Sequence, residues 1–269
     1  MACASTAAGS SRPSNCAPRE TLHACHRTAT LVQCGDMTTL VIATRNTHKV
    51  QEIRAILGDS FRLLTLADFP DAPAVHEDAQ TFAGNATKKA VELAAWLATR
   101  NSKLKTRDSA PCFVLADDSG LEVDALNGAP GVHSARFAAL DSGAAGNSRD
   151  ADNNAKLLRL LQDVFPERRA ARFRCVIALV PVVAPSPRLS SPVCDADECE
   201  LQTELFDGAC EGRIAFAPAG QGGFGYDPLF IPDGFDCSFA ELGEEQKNQI
   251  SHRSRALAKL RTKMFAAVK

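Results

Sequence analysis

Cys112-Phe113-Val114-Leu115-Ala116-Asp117-Asp118-Ser119-Gly120 carries an apolar run straight into two adjacent acids. The first five residues predict a buried strand. The acids then fall at its carboxyl end, where Gly120 turns the chain into a loop. Two carboxylates in that position suit a hard cation such as Mg²⁺, which takes one or two carboxylates with waters and substrate phosphates. An isolated Asp-Asp is more often a solvated strand exit, because short motifs match by chance. Three other segments favour the chemical reading.

Upstream, Leu40-Val41-Ile42-Ala43 is a strand candidate, Thr44-Arg45-Asn46-Thr47-His48-Lys49 is polar, and Val50, Ile53, Ile56 and Leu57 recur at helical spacing. Strand, polar turn and helix place free backbone N–H groups and a positive helix end where a phosphate can bind. Arg45 and Lys49 add charge there. Downstream, Gly220-Gln221-Gly222-Gly223-Phe224-Gly225-Tyr226-Asp227-Pro228 spells G-x-G-x-x-G. The dinucleotide-binding reading fails, because that fingerprint needs a strand before it and a helix opening inside it. Pro218 precedes this loop and Leu229-Phe230-Ile231 follows it, so the glycines read as a loop presenting two aromatics and an acid to a flat base. Near the end, Ser251 is an N-cap candidate for a helix marked by Ala256, Leu257, Leu260 and Phe265. His252 and Arg253 then stand in its first turn, where the helix dipole disfavours cations.

Strand candidates are 39–44, 62–66, 112–116, 173–181, 201–207, 212–217 and 228–231, and helix candidates are 48–58, 81–100, 147–164 and 252–267. That pattern is α/β. With 269 residues, 45% of them hydrophobic, the chain can build one sizeable core or two small lobes. A net charge of −2 gives no broad basic surface for nucleic acid, and no apolar run is long enough to cross a membrane. Ten cysteines contain no C-x-x-C pair; Cys112 and Cys175, in apolar strand-like runs, read as small core residues, and reduced intracellular thiols are the simplest account. Residues 182–200, with three prolines and then an acidic run, predict an exposed insertion. Residues 1–36 are rich in Ala, Ser, Thr and Cys and faintly resemble a mitochondrial transit segment, but Pro13 and Pro18 interrupt any amphipathic helix. They are expected to be a dispensable extension ahead of one domain over 37–269.

In order and spacing, Ala116-Asp117-Asp118-Ser119-Gly120-Leu121, Gly128-Ala129-Pro130-Gly131, Phe224-Gly225-Tyr226-Asp227-Pro228 and Ser251-His252-Arg253 resemble the non-standard purine nucleoside triphosphate pyrophosphatase family, known from inosine triphosphate pyrophosphatase. The resemblance runs from about Thr39 to about Val268. It implies a long mixed sheet flanked by helices, in two lobes with a nucleotide cleft between them. It also implies hydrolysis of ITP, dITP and XTP to the monophosphate and pyrophosphate, which cleanses the nucleotide pool. Carried over residue by residue, the phosphate turn falls on Thr44, Arg45, Asn46, Thr47, His48 and Lys49. Glu77, Asp117 and Asp118 would hold Mg²⁺, with Mn²⁺ as a substitute. Asp118 matches the general base, with Asp117 and Lys89 completing the catalytic group. Ser119 lies beside the nucleotide, and Phe224, Gly225, Tyr226, Asp227, Lys247, His252 and Arg253 form the base pocket. A cytoplasmic homodimer is the implied assembly, without nucleic-acid or membrane partners. Two positions depart from the family: Arg45 stands where Gly is common, and Gly84 where Glu is frequent.

The chemistry asks for these groups. Water attacking the α-phosphorus builds charge on phosphoryl oxygens and on the leaving pyrophosphate, which metal ions, Lys and Arg stabilise. Donors from Lys247, His252 or Arg253 match the 6-oxo group of hypoxanthine and xanthine and are left unpaired by adenine. Two rivals remain: a pyrophosphatase acting on dTTP or UTP, and a nucleotide-binding module that has lost catalysis through Arg45 and Gly84.

Overall fold

The structure is a computed structural model, and it describes residues 37–100, 111–141, 143, 146–183 and 202–266. The expected extension at 1–36 lies outside the described residues, as does the expected insertion from 184 onward. Among the described residues, six strands form one sheet in the order β2-β1-β3-β4-β5-β6. They are β1 Thr39–Ile42, β2 Arg62–Thr65, β3 Cys112–Val123, β4 Ala170–Pro181, β5 Glu204–Ile214 and β6 Phe230–Pro232. β1 is parallel to β2 and β3, and the pairings from β3 to β6 are antiparallel. The α/β class with a mixed sheet is therefore as expected.

Alternation along the strands sorts the core into two faces. Val41, Val114, Ala116, Val176 and Ala178 meet the apolar stripe of α2, Phe82–Thr99. Leu40, Ile42, Leu115, Ile177 and Leu179 meet α1, Thr47–Leu57, and α5, His252–Ala266. A third cluster, at the far end of the long strands, joins Leu121, Phe173 and Phe230 to Leu157 and Leu161 of the α3 region and to Phe239 of α4. These helices run Asp150–Leu160 and Phe239–Ile250.

Four sequence expectations are corrected. β3 does not end at Ala116: it pairs with β4 residue by residue through Asp117↔Ile177 and Asp118↔Val176 to Val123↔Ala171. Asp, Ser and Gly have poor strand propensity, but a central position between two strands overrides it. The segments 201–207 and 212–217 belong to one strand, β5, continuous through Gly208 and Gly212. Both glycines sit where a neighbour presses on the sheet; a Cβ at 208 would run into the carbonyl of His252 and lie 2.6 Å from the Ala256 nitrogen. α3 is shorter than 147–164. Helix α4 was not foreseen, because Gly243, at φ 80°, interrupts its periodicity.

Candidate active site

At the end of β1, Asn46 caps α1, its Oδ1 accepting from Lys49 N at 3.2 Å. No acidic residue occupies that first turn, so its positive end and the N–H groups that the Asn46 cap does not take remain available to an anion. Arg45 donates from Nη2 to Ala72 O at 3.0 Å, tying this turn to the segment that leads to Glu77. A cleft of about 1030 Å³ opens here and continues past Lys89, Asp118 and Ser119 to Phe224, Lys247 and His252.

Asp117 and Asp118 face opposite sides of β3. On the α2 side, Asp118 accepts from Asn85 Nδ2 at 3.1 Å and from Lys89 Nζ at 3.3 Å. The same Lys89 ammonium reaches Glu77 Oε2 at 3.1 Å and the Asp117 carbonyl at 2.8 Å. Burial holds the Asp118 carboxyl above its ordinary value; Lys89 and Lys49 offset part of that, and the like charges of Glu77 and Asp117 add to it. Burial opposes the charge on Lys89, yet Asp118 and Glu77 outweigh it and raise its pKa.

On the other face, Asp117 is 1% exposed and accepts from Arg253 Nε at 3.1 Å and from Cys175 Sγ at 3.0 Å, while Lys49 Nζ pairs with its Oδ1. Burial alone would raise this carboxyl, but Arg253 and Lys49 outweigh it and hold it well below the carboxylate range. Arg253 Nη1 pairs with Glu52 Oε2, and Nη2 donates to Ser119 Oγ at 3.0 Å. Lys247 Nζ bridges Glu52 Oε1 at 2.7 Å and Asp227 Oδ2 at 2.6 Å. Three carboxylates (Glu52, Asp117, Asp227) thus balance three cations (Lys49, Lys247, Arg253) in one buried network. This explains a cation in the first turn of α5: Arg253 answers two buried acids rather than the helix dipole. Ser251 does cap that helix, its Oγ accepting from Ser254 N at 3.2 Å.

The glycine loop is held from both sides. Asp227 Oδ2 accepts from Phe224 N at 2.8 Å, Gly225 N donates to Asp150 Oδ2 at 2.6 Å, and Tyr226 Oη donates to Ser134 O at 2.9 Å. No helix opens inside the loop, in keeping with the rejected dinucleotide reading. The Phe224 ring lies parallel to His48 at 5.2 Å, with Lys247 Nζ 4.6 Å from its centroid. His252 stacks on Phe173 at 4.9 Å. Its Nδ1 is buried without a partner, and burial together with Arg253 and Lys247 pushes its pKa well below 6.5, so the ring is neutral.

Of the expected metal set, Glu77 and Asp118 come together around Lys89, whereas Asp117 is turned to the opposite face. Among the described residues no three His, Cys, Asp or Glu side chains form a metal-holding group. Thr44, Arg45, Asn46 and Lys49 line the cleft together with Phe224, Gly225, Tyr226, Asp227, Lys247, His252 and Arg253, whereas Thr47 and His48 begin α1 and do not line it. At Gly84 a Cβ would lie 2.8 Å from Ala79 Cβ, so the chain ahead of α2 closes onto this position. Sequence reasoning missed Glu52, Asn85, Cys175 and Asp150. Glu52 was the most visible of them, an acid beside Ile53 on the buried side of α1.

A mixed sheet with the N-terminus of α1 at one end of a long cleft and a glycine-rich aromatic loop at the other defines an α/β protein with one extended cleft. The chain belongs to the Ham1 family, whose model matches residues 40–263. It is 46% identical to the dITP/XTP pyrophosphatase of Geobacter sulfurreducens over 226 residues, covering 84% of this chain and 96% of that one. It is 44% identical to the dITP/XTP pyrophosphatase of Geobacillus kaustophilus over 225 residues, covering 83% and 93%. Among solved structures, the Staphylococcus aureus Ham1 protein matches with a TM-score of 0.64 at 34% identity, over 86% of this chain and all of that one.

Proposed function

We propose that this protein hydrolyses dITP, ITP and XTP to the nucleoside monophosphate and pyrophosphate. The observation that carries the reading is the placement of Asp118 and Lys89 in one cleft with the open N-terminus of α1 and the Phe224–Lys247–His252 pocket. Relatives that share 46% and 44% of their residues with it bear the name dITP/XTP pyrophosphatase.

The triphosphate lies along the N–H groups of α1, with Lys49 and Lys89 beside it. The donor set around Lys89 fits a hard divalent ion, because two carboxylates already share one positive charge there. Glu77 and Asp118 would hold that ion, taken as Mg²⁺ or Mn²⁺, and phosphates and water would complete its shell. When bound it supplies charge neutralisation at the phosphoryl oxygens. Asp118, with its raised pKa, accepts the proton of the water that attacks the α-phosphorus. The bond from the α-phosphorus to the bridging oxygen breaks, and pyrophosphate leaves with its electron pair. Asp117 acts on the other face: it fixes Arg253 and Lys49, and through them the base pocket.

At the base, Phe224 offers a stacking face, and Lys247 and His252 offer the donors that a 6-oxo group needs. Arg253 spends its donors on Asp117, Glu52 and Ser119, so its part is to orient the pocket. A homodimer in the cytoplasm is the assembly and compartment that go with this reading. Among the described residues no helix is long and apolar enough to cross a membrane. The test is a panel of ITP, XTP, dITP, ATP, GTP, dTTP and UTP with Mg²⁺. Turnover confined to the first three supports the reading. Preference for dTTP or UTP, or ITP-dependent thermal stabilisation without turnover, overturns it.

A further inference from the structure

Among the described residues, six cationic side chains line the cleft: Arg45, Lys49, Lys89, Arg136, Lys247 and Arg253. Five have partners within the protein: Arg45 has the Ala72 carbonyl, and the other four have carboxylates. Among the described residues, the Arg136 guanidinium forms no hydrogen bond or ion pair, although its backbone is held firmly. Residues 131–136 form a short 3-10 helix laid on β3. Leu121 N donates to Ser134 Oγ at 2.9 Å, Ser148 N to Ala135 O at 3.0 Å, and Ala138 N to Asn153 Oδ1 at 2.8 Å. Phe137 beside it is buried, with the Lys156 ammonium 4.3 Å from its ring centroid.

This segment also has a defined face. A Cβ on Gly120 would run into Ser134 Oγ and lie 2.5 Å from Gly131 O. Gly120 is two residues beyond Asp118 on the same strand, so both face the α2 side. Gly131 and Ser134, three apart, form the face of the 3-10 helix laid on β3, and Arg136, on another face of it, lines the same cleft as Asp118 and Lys89. A rigid backbone carrying an unpaired guanidinium into a cleft whose other cations are already matched suits a polyanion that arrives from outside. The planar fork of Arg fits phosphate oxygens two at a time.

We propose that Arg136 is a further substrate-binding residue, its guanidinium taking oxygens of the phosphate chain of the bound nucleoside triphosphate. The assignment rests on the pyrophosphatase reading above and adds to it a residue outside the phosphate turn, the acids and the base pocket.

The experiment compares wild type, Arg136→Gln and Arg136→Lys for KM and kcat with ITP, inhibition by inorganic pyrophosphate, the ITP-to-ATP preference and melting temperature. Arg136→Gln is expected to raise KM for ITP and weaken pyrophosphate inhibition by about tenfold or more, the scale of a lost hydrogen bond to a charged group. Arg136→Lys should recover part of both. Melting temperature and base preference should stay unchanged. Unaltered KM and inhibition overturn the assignment, as does a changed base preference with normal pyrophosphate inhibition. If the wild type does not turn over ITP, the readout is thermal stabilisation by inorganic triphosphate. Its loss in Arg136→Gln supports the assignment even as the reaction fails, and its retention removes the assignment.

Discussion

Asp117 and Asp118 are neighbours on β3 with opposite surroundings: Asp117 meets Arg253 at 3.1 Å on the α5 side, and Asp118 meets Lys89 at 3.3 Å on the α2 side. Two isosteric substitutions should therefore have unlike effects. Asp118→Asn is expected to cut kcat by about 10²–10⁴, the range for a lost general base, with little change in melting temperature. Asp117→Asn leaves Arg253 and Lys49 short of a buried partner and should cost about 3–5 kcal/mol of stability. Paired kinetics and thermal melts check both. Normal turnover in Asp118→Asn would take that residue out of the reaction.

Glu52 sets an acid limit on stability. Burial raises its carboxyl, but Arg253 and Lys247 outweigh it and hold it below the usual 4.5. The unfolded chain thus takes up this proton first as pH falls. The contribution is complete above about pH 4.5 and is lost as pH drops through the lower folded value. Glu52→Gln should lower stability at pH 7 and flatten part of the acid limb. Melts from pH 7 down to pH 3 read the slope; an unchanged slope would remove Glu52 from the linkage.

Gly208 lets α5 start against β5. A Cβ there would collide with the His252 carbonyl and crowd the Ala256 nitrogen, both backbone atoms with little room to yield. Gly208→Ala should cost about 1–3 kcal/mol or more and raise KM by displacing His252 and Arg253. Full stability and kinetics in this variant would mean that the helix start is not held this tightly.

Phe224 should act in binding rather than in folding. Phe224→Ala is expected to raise KM for ITP about tenfold, within the 1–3 kcal/mol of a lost base–aromatic stack. Melting temperature should shift little, because the loop stays tied through Asp227, Gly225 and Tyr226. Unchanged KM would place the base elsewhere in the cleft.

The apolar alternation of β1, β3 and β4 and the stripe of α2 were legible because burial on each face follows local periodicity. The extent of β3 was not, since pairing with β4 carries Asp117 to Gly120 through a strand against their propensities. Helix α4 escaped notice although Ser238-Phe239-Ala240-Glu241 spells a capping box, which the structure forms. In the site, the motifs pointed to the turn after β1 and the aromatic loop, which line one cleft, but the division between the two acids depends on strand parity and thus on β3 continuing past Ala116. Glu52, Asn85 and Cys175 act through tertiary contacts, which no local pattern records. Among the described residues Arg136 has no hydrogen-bond or ion-pair partner, which only the finished cleft makes visible.

Turnover of ITP with Mg²⁺ in ¹⁸O-labelled water, followed by mass analysis of the products, locates the phosphorus that water attacks. Attack at the α-phosphorus predicts inosine monophosphate carrying one ¹⁸O and unlabelled pyrophosphate. Label in pyrophosphate, or release of orthophosphate with a nucleoside diphosphate, would contradict it.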